Sequence, residues 1–164
     1  MGKVEKIREQ EKKYRKINRW LLTYIYKDFN SLKIENTDIF CHVDSRATAT
    51  TENGKTQTVD IESKERKEND YAYHILRCDK WEAMKKANFN DILIFVEYEV
   101  SEKKAYIYKV NDMSDKRTTN CRLKTTEFDE NSEETRLYKV YLLKKENADK
   151  IIDFEDFLPK NAIY

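Results

Sequence analysis

The chain has 164 residues, 39% of them hydrophobic, with 11 Tyr, 7 Phe and 2 Trp, which excludes a disordered polypeptide and fits one domain with its own core. Its 32 Lys plus Arg against 31 Asp plus Glu leave a net charge of +1, so no global field draws in nucleic acid and any basic surface must come from local segregation. Cys41, Cys78 and Cys121 stand far apart and only 2 His are present, which argues against a structural zinc site and against a disulfide framework. A charged N-terminal stretch, with no apolar run of membrane-spanning length, points away from membranes and toward an intracellular, cytoplasmic protein. Low Gly with abundant Lys, Asn, Ile and Tyr suggests an AT-rich genome, bacterial or phage.

In chain order, Val4, Ile7, Tyr14, Ile17, Leu21, Tyr24, Ile25 and Phe29 recur at helical spacing, so residues 2–29 are predicted to form a long helix. "SLKI" reads as a short strand. "DIFCHVDSRATAT" reads as a longer one, because β-branched and aromatic residues alternate with polar ones. "TENGKT" carries the Asn53-Gly54 hairpin signal, and "TQTVDIESKER" is the returning strand. "YAYHILR" reads as a strand. "DKWEAMKKA" reads as a short helix capped by Asp79, with Glu82 completing a capping box. "DILIFVEYEV" and "KAYIYKV" form a second hairpin, and the first of the pair is apolar enough to be central. "NDMSDKRTTN" reads as a loop, "NCRLKTTEF" and "TRLYKVYLLKK" as strands, and "NADKIIDFEDFL" as a short helix ended by Pro159. No linker appears, so residues 1–164 are taken as one domain.

Alternation places Asp60, Glu62 and Lys64 on one face of the returning strand and Val59, Ile61 and Ser63 on the other. The preceding strand offers His42, Asp44 and Arg46 on one face. A three-residue loop, Glu52-Asn53-Gly54 with Gly54 left-handed, sets Arg46 opposite Asp60, Asp44 opposite Glu62 and His42 opposite Lys64. That register separates a charged face from an apolar or small one. It also brings two carboxylates together, and their repulsion calls for a cation. Mg²⁺ prefers carboxylate and water oxygens, and an adjacent lysine can stabilise the charge of a phosphoryl transition state.

An acid on one strand, a hairpin, then acid-x-Lys on the next resembles the PD-(D/E)XK nuclease superfamily. Here the motif is Val43-Asp44, then "IESK" with Glu62 and Lys64. Acid-x-Lys recurs at Glu11-Lys13, Glu65-Lys67 and Glu102-Lys104, but only the copy at 62–64 follows a hairpin with an acid on the facing strand. The resemblance covers residues 1–110 and leaves 111–164 as additional strands and a short helix. It implies an α/β (α+β) restriction-endonuclease-like core: a long N-terminal helix, a central mixed β-sheet with β-hairpins and a second short helix.

The resemblance further implies a metal-dependent nuclease hydrolysing phosphodiester bonds, with DNA as partner, Mg²⁺ or Mn²⁺ as cofactor, and a homodimer by analogy. Asp44, Glu62 and the Ser63 carbonyl would ligate the metal. Lys64 would orient the attacking water or stabilise the developing charge. Members often add an acid from the first helix, for which Glu5, Glu9 and Glu11 are candidates. The alternative is a non-catalytic nucleic-acid- or protein-binding module on the same scaffold. His42 and His74 as bases, the Tyr71–Tyr73 pair as a base-stacking surface and the basic run 12–16 as a phosphate contact each compete with an ordinary structural role.

Overall fold

A computed structural model describes residues 2–37, 41–67, 71–88, 91–124 and 134–162. Among these the fold is α+β. Helix α1 (Lys3–Ile25) is followed by strands β1 (Ser31–Asn36), β2 (Ser45–Thr50), β3 (Thr56–Arg66) and β4 (Tyr73–Arg77). Helix α2 (Cys78–Ala87) leads into β5 (Ile92–Glu99), β6 (Lys104–Lys109), β7 (Thr118–Lys124) and β8 (Thr135–Lys144). Strand β9 (Lys150–Asp153) and the one-turn helix α3 (Phe154–Phe157) close the described chain.

Two sheets are built from these strands. A six-stranded mixed sheet has the order β1-β2-β3-β5-β6-β9, and a three-stranded antiparallel sheet has the order β4-β8-β7. Among the described residues only β3 and β5 pair in parallel, because β4 and α2 intervene between them and carry the chain back to the same end. The residues after 110 are therefore not an appendage. Strand β9 extends the large sheet beyond β6, while β7 and β8 recruit β4 from mid-chain.

Each face of the large sheet is covered. Ile17, Leu21 and Leu22 of α1 pack with Val59, Ile61, Val96, Tyr98 and Ile107 on one side. Trp81 and Met84 of α2, with Leu76 and Leu143 of the small sheet, pack with Leu93, Phe95, Tyr106 and Tyr108 on the other. Burying β5 on both faces fits its near-continuous apolar run. Trp81 anchors α2 by donating its indole N–H to the Val110 carbonyl at 2.8 Å.

From Ser45 to Thr50 the first hairpin adopts the expected register, but the expected pairs of Asp44 with Glu62 and of His42 with Lys64 do not form. Arg46 stands opposite Asp60 and Ser45 opposite Ile61. Thr51 N–H donates to the Lys55 carbonyl at 2.9 Å around the loop 52–54, where Gly54 takes a φ of +76°. Three further expectations are corrected. The strand predicted from Asp38 begins only at Ser45: residues 41–44 are bent, and 38–40 lie outside the described residues. Asp79 does not cap α2. Arg77 holds the cap position, and Asp79 lies in the first turn with its carboxylate bound to the Arg77 guanidinium at 2.9 and 2.5 Å. Residues 150–153 form a strand rather than a helix, because the backbone of β6 is there to pair with them.

Candidate functional site

Asp44 sits where β2 ends and the chain bends away. Its N–H donates to the Ile61 carbonyl at 2.8 Å, so the ladder that would set it beside Glu62 is broken one residue early. Its carboxylate takes over instead: Oδ2 accepts the Ser63 amide at 2.9 Å and the Ser63 hydroxyl at 2.8 Å. Ser63 in turn accepts from Asn18 Nδ2 of α1 at 3.1 Å, and Tyr98 of β5 donates its hydroxyl to Asn18 Oδ1 at 2.6 Å. Asn18 and Tyr98 are fully buried. This chain of side chains fixes Asp44 from the α1 side. Burial pushes the Asp44 carboxyl up, against the Ser63 hydrogen bonds and the charges of Lys80 and Arg15.

Glu62 points to the other face, under α2. Its Oε1 meets Lys80 Nζ at 2.7 Å, and only 12% of its side chain is exposed. The charged face of β3 is thus not a solvated strand surface. Asp60 on the same face is fully buried and pairs with Arg46 Nε at 3.1 Å. Lys64 stands in register with Glu97 of β5, and Arg66 Nε reaches Glu97 Oε2 at 3.2 Å. Burial pushes Glu97 up to about 7, against the lowering charges of Arg66 and Lys64.

The expected acid pair, Asp44 beside Glu62 on one face, is therefore not formed: Asp44 turns toward α1 and Glu62 toward α2. Asp44 contacts the backbone and hydroxyl of Ser63, while Glu62, the residue before it, contacts Lys80. Lys80 bears on both carboxylates, through contact with Glu62 and through its charge on Asp44. With the two carboxylates apart, Glu62 is paired instead with this lysine of α2, which sequence reasoning did not single out. No local signal distinguishes it from Lys85 or Lys86 in the same helix.

Of the first-helix acids, Glu5 accepts the Gly2 amide at 2.9 Å and closes the helix start. Glu9 is exposed. Glu11 lies 3.8 Å from Arg15, whose guanidinium binds the Thr37 carbonyl and lowers Asp44. His42 is exposed within the bend.

His74 is buried between the sheets, with Nδ1 at 2.7 Å from the Tyr108 hydroxyl and Nε2 at 2.8 Å from Glu99. The pairing that satisfies both nitrogens has Tyr108 donating to Nδ1 and Nε2–H donating to Glu99, which is neutral imidazole. Burial, then the charges of Lys145 and Arg66, bring His74 down to about 3. Lys145 Nζ closes the network at 2.8 Å from Glu99 and 2.7 Å from Glu102. This network joins the sheets and makes His74 a structural residue.

Asp44 and Glu62 offer carboxylate oxygens of the kind a hard cation takes, but toward opposite faces of β3, with Lys80 already on Glu62. Among the described residues no group of three or more His, Cys, Asp or Glu assembles to hold a metal. No helix is long and apolar enough to cross a membrane among the described residues. Comparison with protein-family models, curated proteins and solved structures gives no match to this chain.

Proposed function

We propose that the chain is a divalent-metal-dependent nuclease hydrolysing phosphodiester bonds of DNA, on a restriction-endonuclease-like core of the PD-(D/E)XK type. The observation that carries this reading is the seating of Asp44 on Ser63, the residue between Glu62 and Lys64. The element order also supports it: a helix, an antiparallel meander carrying the acids, a helix, then a buried strand parallel to the acid-bearing one.

On this reading Asp44, Glu62 and the Ser63 carbonyl hold Mg²⁺ or Mn²⁺. When bound, such a metal lowers the pKa of a coordinated water and withdraws charge from the phosphoryl oxygens. Ser63, Asn18 and Tyr98 keep the Asp44 carboxylate in one orientation. Lys64, half-buried and in register with Glu97, would stabilise the negative charge that develops on the phosphate. A homodimer would present two such sites to a duplex.

A second reading is favoured by the Lys80 contact: a Glu62 already paired with a lysine suits a nucleic-acid- or protein-binding module without catalysis. Cleavage of duplex, single-stranded and branched DNA, and of RNA, with Mg²⁺ or Mn²⁺ against EDTA, separates the two. Wild type should cut DNA only with metal. Lys64→Ala should cut at least about 100-fold more slowly, which is about 2.7 kcal/mol of barrier, with binding weakened far less. Binding without cleavage under any metal would give the case to the binding module. Equal cleavage by Lys64→Ala would remove the site assignment.

A further inference from the structure

We infer that the exposed face of the β7–β8 ribbon is a docking surface for B-form DNA, laid into the major groove with Arg122, Lys124 and Lys139 against the phosphates. The inference rests on the nucleic-acid partner of the reading above, and on neither a metal site nor cleavage.

A chain with a net charge of +1 can offer a polyanion only a locally segregated surface. The small sheet is such a surface. Strands β4, β7 and β8 carry Arg77, Arg122, Lys124, Arg136, Lys139 and Lys144, and no acid. The acids of this region stand in the connection between β7 and β8 instead: Glu127, Asp129, Glu130, Glu133 and Glu134. Among the described residues Arg122, Lys124, Arg136 and Lys139 make no ion pair. The core cations Arg46, Arg66, Lys80 and Lys145 are each bonded to a carboxylate.

Register gives the ribbon its shape. Strand β4 pairs with β8 only as far as Val140, opposite Arg77. Beyond that point residues 120–124 and 135–139 form a two-stranded ribbon, about 16 Å long by strand rise. Residues paired directly across antiparallel strands share a face. Asn120 with Lys139, Arg122 with Leu137, and Lys124 with Thr135 therefore lie on one face, and all six are exposed. The other face holds Cys121, Leu123 and Tyr138, half-buried, and is braced by the Arg77 guanidinium over the Tyr138 ring at 4.0 Å. At its root the exposed face ends on Tyr141, against Trp81 of α2, with Glu82 beside it.

This face matches what the groove presents. The major groove of B-form DNA admits a two-stranded ribbon. Arg122 and Lys124 stand about 6.6 Å apart by strand rise, close to two nucleotide steps of roughly 3.4 Å along the duplex axis. Asn120 carries the amide that pairs bidentately with adenine, and Leu137, 60% exposed, suits a thymine methyl. A lipid surface fits less well, because Leu137 is the single large apolar side chain of the face and interfacial binding needs an apolar stripe. A second copy would set like charges against each other.

The test measures binding of a duplex of about 20 base pairs in EDTA by fluorescence anisotropy across salt. The proteins are wild type, Arg122→Gln/Lys124→Gln/Lys139→Gln and, as an equal loss of charge at exposed positions of α1, Lys6→Gln/Arg8→Gln/Arg19→Gln. The ribbon variant should bind at least about 50-fold more weakly at about 0.1 M salt, with the slope of log K against log salt flattened by about 3. The helix variant should lose less than about threefold. Equal losses in the two variants, or no duplex binding by wild type, would overturn the proposal. Duplex RNA, whose major groove side chains cannot enter, should bind at least about tenfold more weakly than DNA, and equal binding would overturn groove docking.

Ribbon-dependent binding of phosphatidylserine vesicles, or a dimer lost in the ribbon variant, in place of DNA binding would give the face to a lipid surface or a second copy and overturn the proposal. Should the ribbon variant fail to fold, wild type labelled with ¹⁵N serves. Duplex should move the amide resonances of 120–124 and 135–139, and unmoved resonances in DNA-bound protein would overturn the docking. Ribbon-dependent binding without cleavage under Mg²⁺ or Mn²⁺ would remove the nuclease reading alone. Cleavage with undiminished binding by the ribbon variant would remove this inference alone.

Discussion

The buried network between the sheets contains two titrations of opposite sign, and their near-cancellation can be measured. His74 falls from its ordinary value to about 3 in the folded chain. The folded state therefore binds fewer protons than the unfolded one between about pH 6.5 and 3, and stability is lost as pH falls through that window. Glu97 rises to about 7. The folded state here binds more protons between about pH 4.5 and 7, so stability is present at low pH and lost as pH rises through that window. Going from about pH 8 to pH 5, the His74 shift destabilises and the Glu97 shift stabilises, each by about 2 kcal/mol. These two contributions should largely offset each other in wild type.

Single substitutions should expose each one. His74→Gln keeps an acceptor for Tyr108 and a donor for Glu99, and so removes the titration while sparing the hydrogen bonds. Glu97→Gln keeps an acceptor for Arg66. Urea unfolding of all three proteins across this range should show wild type losing about 2 kcal/mol relative to His74→Gln on acidification. Over the same range wild type should gain about 2 kcal/mol relative to Glu97→Gln. Parallel curves for wild type and His74→Gln would refute the assignment of a buried neutral imidazole. A Glu97→Gln curve parallel to wild type would show that Glu97 is ionised at pH 5.

Gly54→Ala should cost about 1 to 2 kcal/mol in urea unfolding, wholly from the left-handed φ of +76°, because an added Cβ meets nothing within 4 Å. Asn18→Leu should cost about 1 to 3 kcal/mol, since it removes the acceptor of the Tyr98 hydroxyl and a donor to the Ser63 hydroxyl in a buried site; a smaller loss would mean the chain to Asp44 is not formed. Asp44→Asn should leave apo stability close to wild type, because Asn keeps an acceptor for the Ser63 amide and Glu62 is paired with Lys80. It should abolish a metal-induced thermal shift that reaches about 2.7 kcal/mol at 100-fold saturation in wild type.

Local pattern carried much of this fold. Alternation along "TQTVDIESKER" delimits β3, and Asn53-Gly54 with its preceding Glu52 sets the hairpin register that pairs Arg46 with Asp60. The continuous apolar run of β5 announces a strand covered on both faces, and the helical spacing in α1 announces its buried stripe. These are short-range regularities, and physical chemistry acts on them within a few residues.

Tertiary structure decided the rest. Asp44 leaves the ladder because its own carboxylate captures the Ser63 amide, a competition between side chain and backbone that alternation does not register. Residues 150–153 become a strand because β6 offers them a backbone to pair with, and four residues carry too weak a period to announce it. Glu97 and Glu99 sit fully buried in a strand read as apolar, because Arg66, His74 and Lys145 converge on them from three other segments of the chain. Lys80 reaches Glu62 only because Trp81 locks α2 across β3. In each case the deciding partner lies outside the local segment, and partners of that kind exist only once the sheet has closed.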